Sequence, residues 1–198
     1  EALLAGNTVV LKPSEHTPLT TELLKKVWDQ STDRPELFQP VYGAGELGNA
    51  LVISPQTDVI CFTGSTAVGR KIAESCAPLF KPVILELGGK DPMIILEDAD
   101  INRSVKAAIW GGLSNAGQTC ISVERIFAHE KIYPEIVAQL SEKIQKTSSG
   151  EGNAPIGAIS VEMTMEKIRQ QINDAKNSSE VIEGGGSSGW FIAPTLVV

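Results

Sequence analysis

No stretch of this sequence approaches the ~20 consecutive apolar residues that a helix needs to span a bilayer. Its apolar runs are short, such as residues 82–85 and 92–96, four and five residues long. No membrane partner is expected. Cysteine is scarce and odd in number: Cys61, Cys76 and Cys120 stand far apart, without a close pairing pattern and without a basic-then-apolar leader ahead of them. The expectation is a reducing, cytoplasmic setting and no disulfide framework. Histidine is scarcer still, since His16 and His129 are the only two and neither has metal-ligand spacing to a cysteine or to the other. This argues against a zinc site and against a thiol activated by histidine. Basic residues are the minority charge: 17 Lys and Arg against 24 Asp and Glu give 17 − 24 = −7, so most of the surface would repel a phosphate backbone. Nucleic acid is not an expected partner.

What is present is ordinary globular material, 42% hydrophobic and 21% charged over 198 residues, enough for one large domain or two small ones. Hydrophobic periodicity predicts a strand over 8–11 and a helix over 17–30, with Thr17 as N-cap, Pro18 at N1, and Leu23, Leu24 and Val27 on one face. Strand 37–42, helix 46–52, strand 59–63, helix 67–76 and strand 83–86 follow. Apolar strands alternating with helices imply a parallel sheet covered on both faces and joined by right-handed crossovers. After Gly88-Gly89 the pattern restarts with strand 93–96, helix 101–113, strand 125–128, and helices over 133–146 and 163–176. The run 184–189, rich in Gly and Ser, reads as a flexible surface connection before a last strand. The expected fold is therefore α/β: a parallel doubly wound, Rossmann-like sheet over residues 1–87 and a second α/β domain over 88–198. Both are expected to be incomplete, because the chain opens in what reads as the tail of a helix and stops in a strand-like run; a fragment of a longer polypeptide is the expectation.

Several turns could carry chemistry. Gly43-Ala44-Gly45-Glu46-Leu47-Gly48 matches G-x-G-x-x-G between a strand and a helix, where backbone amides can approach a pyrophosphate. An acid ~20 residues further on would strengthen it, but Asp58 comes too soon, and a ligand-free tight turn reads equally well. The turn Gly64-Ser65-Thr66-Ala67-Val68-Gly69 offers hydroxyls and amides at a helix start, but Arg70-Lys71-Ile72 follows where a Walker A motif needs Lys then Ser or Thr, so a nucleotide triphosphatase is rejected. Glu86 closes an apolar strand at the carboxyl edge where open α/β sheets bind ligands, which predicts a partly desolvated carboxylate; the alternative is an acid that caps the Gly-Gly turn or pairs with Lys90. Cys120 sits in the polar loop Asn115-Ala116-Gly117-Gln118-Thr119-Cys120, a setting that suits a nucleophile. Cys61, inside an apolar strand, is expected in the core, and Cys76, near a helix end, in packing. Without histidine, a Cys120 nucleophile needs a carboxylate base such as Glu86, or activation by backbone dipoles and a cofactor charge.

Leu85-Glu86-Leu87-Gly88-Gly89-Lys90 followed by Gly117-Gln118-Thr119-Cys120, with 120 − 86 = 34 positions between acid and thiol, resembles the aldehyde dehydrogenase superfamily. The segments 6–15, 62–66 and 189–195 reinforce the resemblance, which covers the whole chain. It implies that residues 1–87 are the second part of an NAD-binding domain and 88–198 the first part of a catalytic domain. It further implies that Lys12 and Glu15 hold the adenosine ribose, that Gly45, Gly64, Ser65, Val68 and Gly69 contact adenine and pyrophosphate, and that Leu87 lines the nicotinamide side. In such enzymes Cys120 would attack an aldehyde to form a thiohemiacetal, hydride would pass to the nicotinamide, and Glu86 would activate the water that hydrolyses the thioester. NAD is expected over NADP, because Glu15 would repel a 2′-phosphate. The resemblance also implies a homodimeric or homotetrameric parent, a small-molecule aldehyde as partner, an oxyanion amide upstream of Glu1 and a nicotinamide-ribose glutamate beyond Val198, so that the fragment alone would be impaired. Two other readings stay open: a coenzyme-A-acylating member, against which Glu86 argues, and a non-catalytic, structural or NAD-binding relative.

Overall fold

The computed structural model describes residues 1–198, which fall into two compact units, Glu1–Gly88 and Gly89–Val198. In the first unit β1 (Val9–Leu11), α1 (Pro18–Ser31) and β2 (Phe38–Pro40) form one strand-helix-strand element, its strands parallel with Val9 opposite Phe38. After α2 (Gly45–Ile53), the strands β3 (Ile60–Thr63) and β4 (Val83–Glu86) pair in parallel across α3 (Thr66–Cys76), and the register sets Thr63 opposite Glu86. The second unit repeats the device with β5 (Asp91–Ile95), α4 (Ile101–Leu113) and β6 (Val123–Ala128), then adds α5 (Tyr133–Gln145), α6 (Glu162–Ala175) and an antiparallel pair, β7 (Val181–Glu183) and β8 (Thr195–Val197). The α/β class is as expected, a Rossmann-like alternation of parallel strands and helices. None of its helices is long and apolar enough to cross a membrane.

Local chemistry explains the element ends. Pro18 opens α1 at a position where its missing N–H is not needed, while Thr17 makes no side-chain cap hydrogen bond. Asp100 caps α4 by accepting from Arg103 N at 2.9 Å, and Ser65 caps α3 by accepting from Val68 N at 3.3 Å. Lys81 ties the start of β4 to the end of α2: its ammonium donates to Val52 O and Ser54 O, both at 2.7 Å, and to Thr57 Oγ1 at 2.8 Å. A cation suits the carbonyl end of a helix. The core of the second unit gathers Ile95, Val105, Ala108, Ile136 and Leu140, with Ile126, Ile132 and Leu196 packed around them. Each fully buried isoleucine or valine there contributes about 2 kcal/mol.

The strands are not covered on both faces: in β3 and β4 alternate residues are open, so that Ile84 is 54% exposed and Cys61, placed in the core by its apolar neighbours, is exposed as well. Cys76 is buried, as packing requires. The face of α1 bearing Leu23, Leu24 and Val27 is also exposed, and Thr21 is the helix's buried residue. Apolar composition shows what a surface could bury, and nothing in this unit lies over those side chains.

Residues 184–189 also differ from the flexible connection that their composition predicts. Gly185 N donates to Thr147 O and Ser149 N to Gly185 O, both at 3.0 Å, while Ser149 Oγ donates to Gly186 O at 2.7 Å. The run is thus laced to the segment after α5 and is no free linker. Gly186 has φ +90°, and a Cβ there would run into the backbone of Ser149. Gly186→Ala is therefore expected to destabilise the fold by on the order of 3 kcal/mol, read as a lower urea midpoint; an unchanged midpoint would mean that the run is loose after all.

Candidate functional site

At the carboxyl ends of β1 and β2, the Lys12 side chain is only 18% exposed and its stem runs along Gly48, so the lysine and the G-x-G-x-x-G turn are neighbours. Lys12 Nζ donates to Pro13 O at 2.6 Å and to Gly43 O at 3.0 Å and lies 3.6 Å from a Glu15 carboxylate oxygen. The Glu15 backbone amide and the Lys12 charge, in that order, hold the Glu15 carboxyl below the usual glutamate range. Gly45 begins α2, and the space where a Cβ would stand is open.

At the ends of β3 and β4, Gly64 N donates to Glu86 O at 3.0 Å, extending the ladder one bond past Thr63. Ser65 occupies the N-cap of α3, whose first-turn amides have no partner within the helix. Val68 is 44% exposed, and buried Gly69 allows Leu87 to lie on the helix: a Cβ there would stand 2.6 Å from Leu87 Cδ2. Glu86 itself is exposed, not partly desolvated as its apolar run predicts, because β4 turns Ile84 and Glu86 to the same open face. The donor set fits an anionic dinucleotide, with an ammonium, a hydroxyl, helix-start amides and a glycine where close approach is needed.

In the second unit Cys120 is exposed within a turn closed by Ser122 N donating to Thr119 O at 3.1 Å. Ser122 is 3% exposed, and its Oγ donates to Gly111 O and Gly112 O at 3.2 and 3.3 Å, fastening the turn to the end of α4. On the other side, Asn115, Ala116 and Gly117 are successively left-handed, with φ of 54°, 58° and 74°. The Cys120 thiol is thus presented by a braced, irregular loop and not by a regular element. Lys90, an alternative partner for Glu86 by sequence, instead pairs with Glu124 at 2.6 Å.

The model of the aldehyde dehydrogenase family matches residues 1–198. The chain belongs to the aldehyde dehydrogenase family. It is 34% identical to the betaine aldehyde dehydrogenase of Vibrio vulnificus, covering all of this chain and 43% of that protein. It is 35% identical to the NADP(+) succinate-semialdehyde dehydrogenase of Escherichia coli, covering all of this chain and 42% of that one. The crystal structure of an E. coli NADP-dependent enzyme superposes with a TM-score of 0.92 at 34% identity, over 99% of this chain and 42% of its own. This aldehyde dehydrogenase chain therefore spans about two fifths of the length of the relatives it matches.

The relatives overturn the expected preference for NAD. The succinate-semialdehyde dehydrogenases of E. coli and Sinorhizobium fredii and the D-glyceraldehyde dehydrogenases of Picrophilus torridus and Thermoplasma acidophilum are all named for NADP(+). The structure supplies a physical reason why Glu15 is a poor guide. Its side chain is 54% exposed and its charge faces the Lys12 ammonium, so repulsion of a 2′-phosphate is both offset and screened.

Lys81 and Ser122 escaped the sequence reading. A lysine just before an apolar strand and a serine two residues after a candidate nucleophile are weak signals, since their partners lie far off in sequence, at Val52 and Ser54 for one and at Gly111 and Gly112 for the other.

Proposed function

We propose that this chain carries the dinucleotide-binding residues and the nucleophile of an enzyme that oxidises an aldehyde to a carboxylic acid with NADP as its cofactor. The observation behind the proposal is the setting of Cys120, an exposed thiol in a turn braced by a buried serine, within a chain that matches the family along its whole length. Residues 1–87 are assigned to the second part of the dinucleotide domain and 88–198 to the first part of the catalytic domain. Lys12, Glu15, Gly45, Gly64, Ser65, Val68, Gly69 and Leu87 are assigned to the cofactor, and Cys120 and Glu86 to the chemistry. Support for NADP comes from the relatives named for it and from the cation beside Glu15.

Cys120 as thiolate attacks the aldehyde carbon, forming a thiohemiacetal whose oxygen carries the carbonyl electron pair. The bound dinucleotide supplies the acceptor for the hydride that leaves that carbon. Cys120 then holds a thioester, and Glu86 takes a proton from the water that attacks it. Collapse of the adduct releases the carboxylic acid and returns Cys120 as thiolate.

The test uses the polypeptide that carries this chain together with the further length its relatives possess. Incubated with NADP and separately with betaine aldehyde, succinate semialdehyde and D-glyceraldehyde, it is expected to form acid and reduced cofactor in equal amounts with at least one. Turnover that requires added coenzyme A would favour the acylating reading, and no reduction with a broad aldehyde panel would favour a non-catalytic chain.

A further inference from the structure

We propose that Gln118 is a positioning residue for Cys120, its side-chain amide clamping the left-handed turn before the thiol to residues 158–160. The proposal rests on the reading of Cys120 as nucleophile. Ala116 holds a left-handed conformation that its Cβ disfavours, beside Asn115, a residue type that adopts it more readily, so outside support helps the turn to persist. Gln118 provides it. Its Nε2 donates to Asn115 O at 3.0 Å and to Ala158 O at 3.2 Å, while its Oε1 accepts from Ser160 N at 2.8 Å. Asn115 Nδ2 donates back to Gln118 O at 3.2 Å.

The far side of the clamp is firm. Ile156 and Ile159 on that segment are 7% and 4% exposed, and Ile159 N donates to Trp190 O at 2.8 Å. With Ser122 fastened to α4, the loop bearing Cys120 is held from both ends. Removing the Gln118 amide leaves the second anchor and the bonds within the turn, from Gln118 N to Asn115 O at 3.1 Å and from Asn115 Nδ2 to Gln118 O, but no tie to residues 158–160, and Ala116 can relax toward ordinary right-handed backbone, shifting the thiol. A displacement of about 1 Å at a reacting atom can cost on the order of 100-fold in rate.

Gln118→Met preserves length and volume but removes all three hydrogen bonds. In the full-length enzyme it is expected to slow the pre-steady-state burst of reduced cofactor about 10- to 100-fold. Alkylation of Cys120 by iodoacetamide in cofactor-free protein should slow as well, with the dissociation constant for NADP unchanged. Adding Ala116→Gly, which accepts the left-handed conformation freely, should restore part of the loss. A merely structural role would lower the melting temperature and cofactor binding together and would not respond to the glycine. Wild-type burst and alkylation rates in Gln118→Met, or a loss that Ala116→Gly does not recover, would overturn the clamp. Should Gln118→Met fail to fold, Gln118→Asn, too short to reach residues 158–160, carries the same expectation and the same refutation. Cys120→Ala run alongside separates the two ideas. Surviving turnover there removes the nucleophile itself, whereas wild-type rates in Gln118→Met beside an inactive Cys120→Ala remove only the clamp.

Discussion

Cys120→Ala is expected to lower turnover by 10⁴-fold or more, the order seen when a covalent nucleophile is deleted, while NADP binding stays intact. The side chain lies on a turn and makes no part of the core, so its loss should leave melting behaviour unchanged. Alkylation sharpens the test, because exposure does not separate the cysteines: Cys61 is open too, and only Cys76 is buried. Alkylation also depends on how freely the reagent reaches the sulfur, and a turn leaves a thiol open on more sides than a strand does. Cys61 lies within the ladder of β3, opposite Ile84, whereas Cys120 follows an irregular turn. Rapid labelling is therefore expected at Cys120, and protection of Cys120 alone should preserve activity. Equal labelling of Cys61, or near-normal turnover in Cys120→Ala, would remove Cys120 from the mechanism.

The strand-helix alternation was legible in the sequence because apolar period and turn residues are local. Helix Ile101–Leu113 and strand Val83–Glu86 have the predicted bounds, and most others differ by one or two residues. What escaped was set by contacts between distant residues. The strand Val181–Glu183 is short and of mixed polarity, and it becomes a strand by pairing with Thr195–Val197. The glycine run beside it looked like a linker by composition, yet Gly186 is needed because the Ser149 backbone presses on it. The open faces of β3, β4 and α1 are a different case: the apolar pattern marks what a surface can bury, and nothing in this unit lies over those side chains. Among the candidate residues, Cys120 and Glu86 are conspicuous in the sequence as a thiol in a polar loop and an acid ending an apolar strand. The amide of Gln118 was not, since its partners lie some forty residues away, at Ala158 and Ser160.

Glu86→Gln is expected to split the reaction at its middle. The exchange keeps size and shape, and the backbone at this position is fixed independently by Gly64 N and by pairing with Thr63, so the end of β4 should not move. A neutral amide cannot take a proton from water. If Glu86 serves only hydrolysis, thiol attack and hydride departure proceed, and a burst of roughly one reduced cofactor per active site appears before turnover stalls. Steady turnover should fall about 10²- to 10⁴-fold, the usual contribution of a positioned general base. Hydroxylamine should then recover part of it, being a nucleophile that attacks the Cys120 thioester without a base. The burst is the decisive measurement, because it separates thiol attack and hydride departure from the hydrolysis that follows. Loss of the burst along with turnover would mean that Glu86 acts earlier, to deprotonate Cys120. Wild-type behaviour would leave Glu86 as a strand-end acid with no part in the chemistry, and the base for water would have to lie elsewhere.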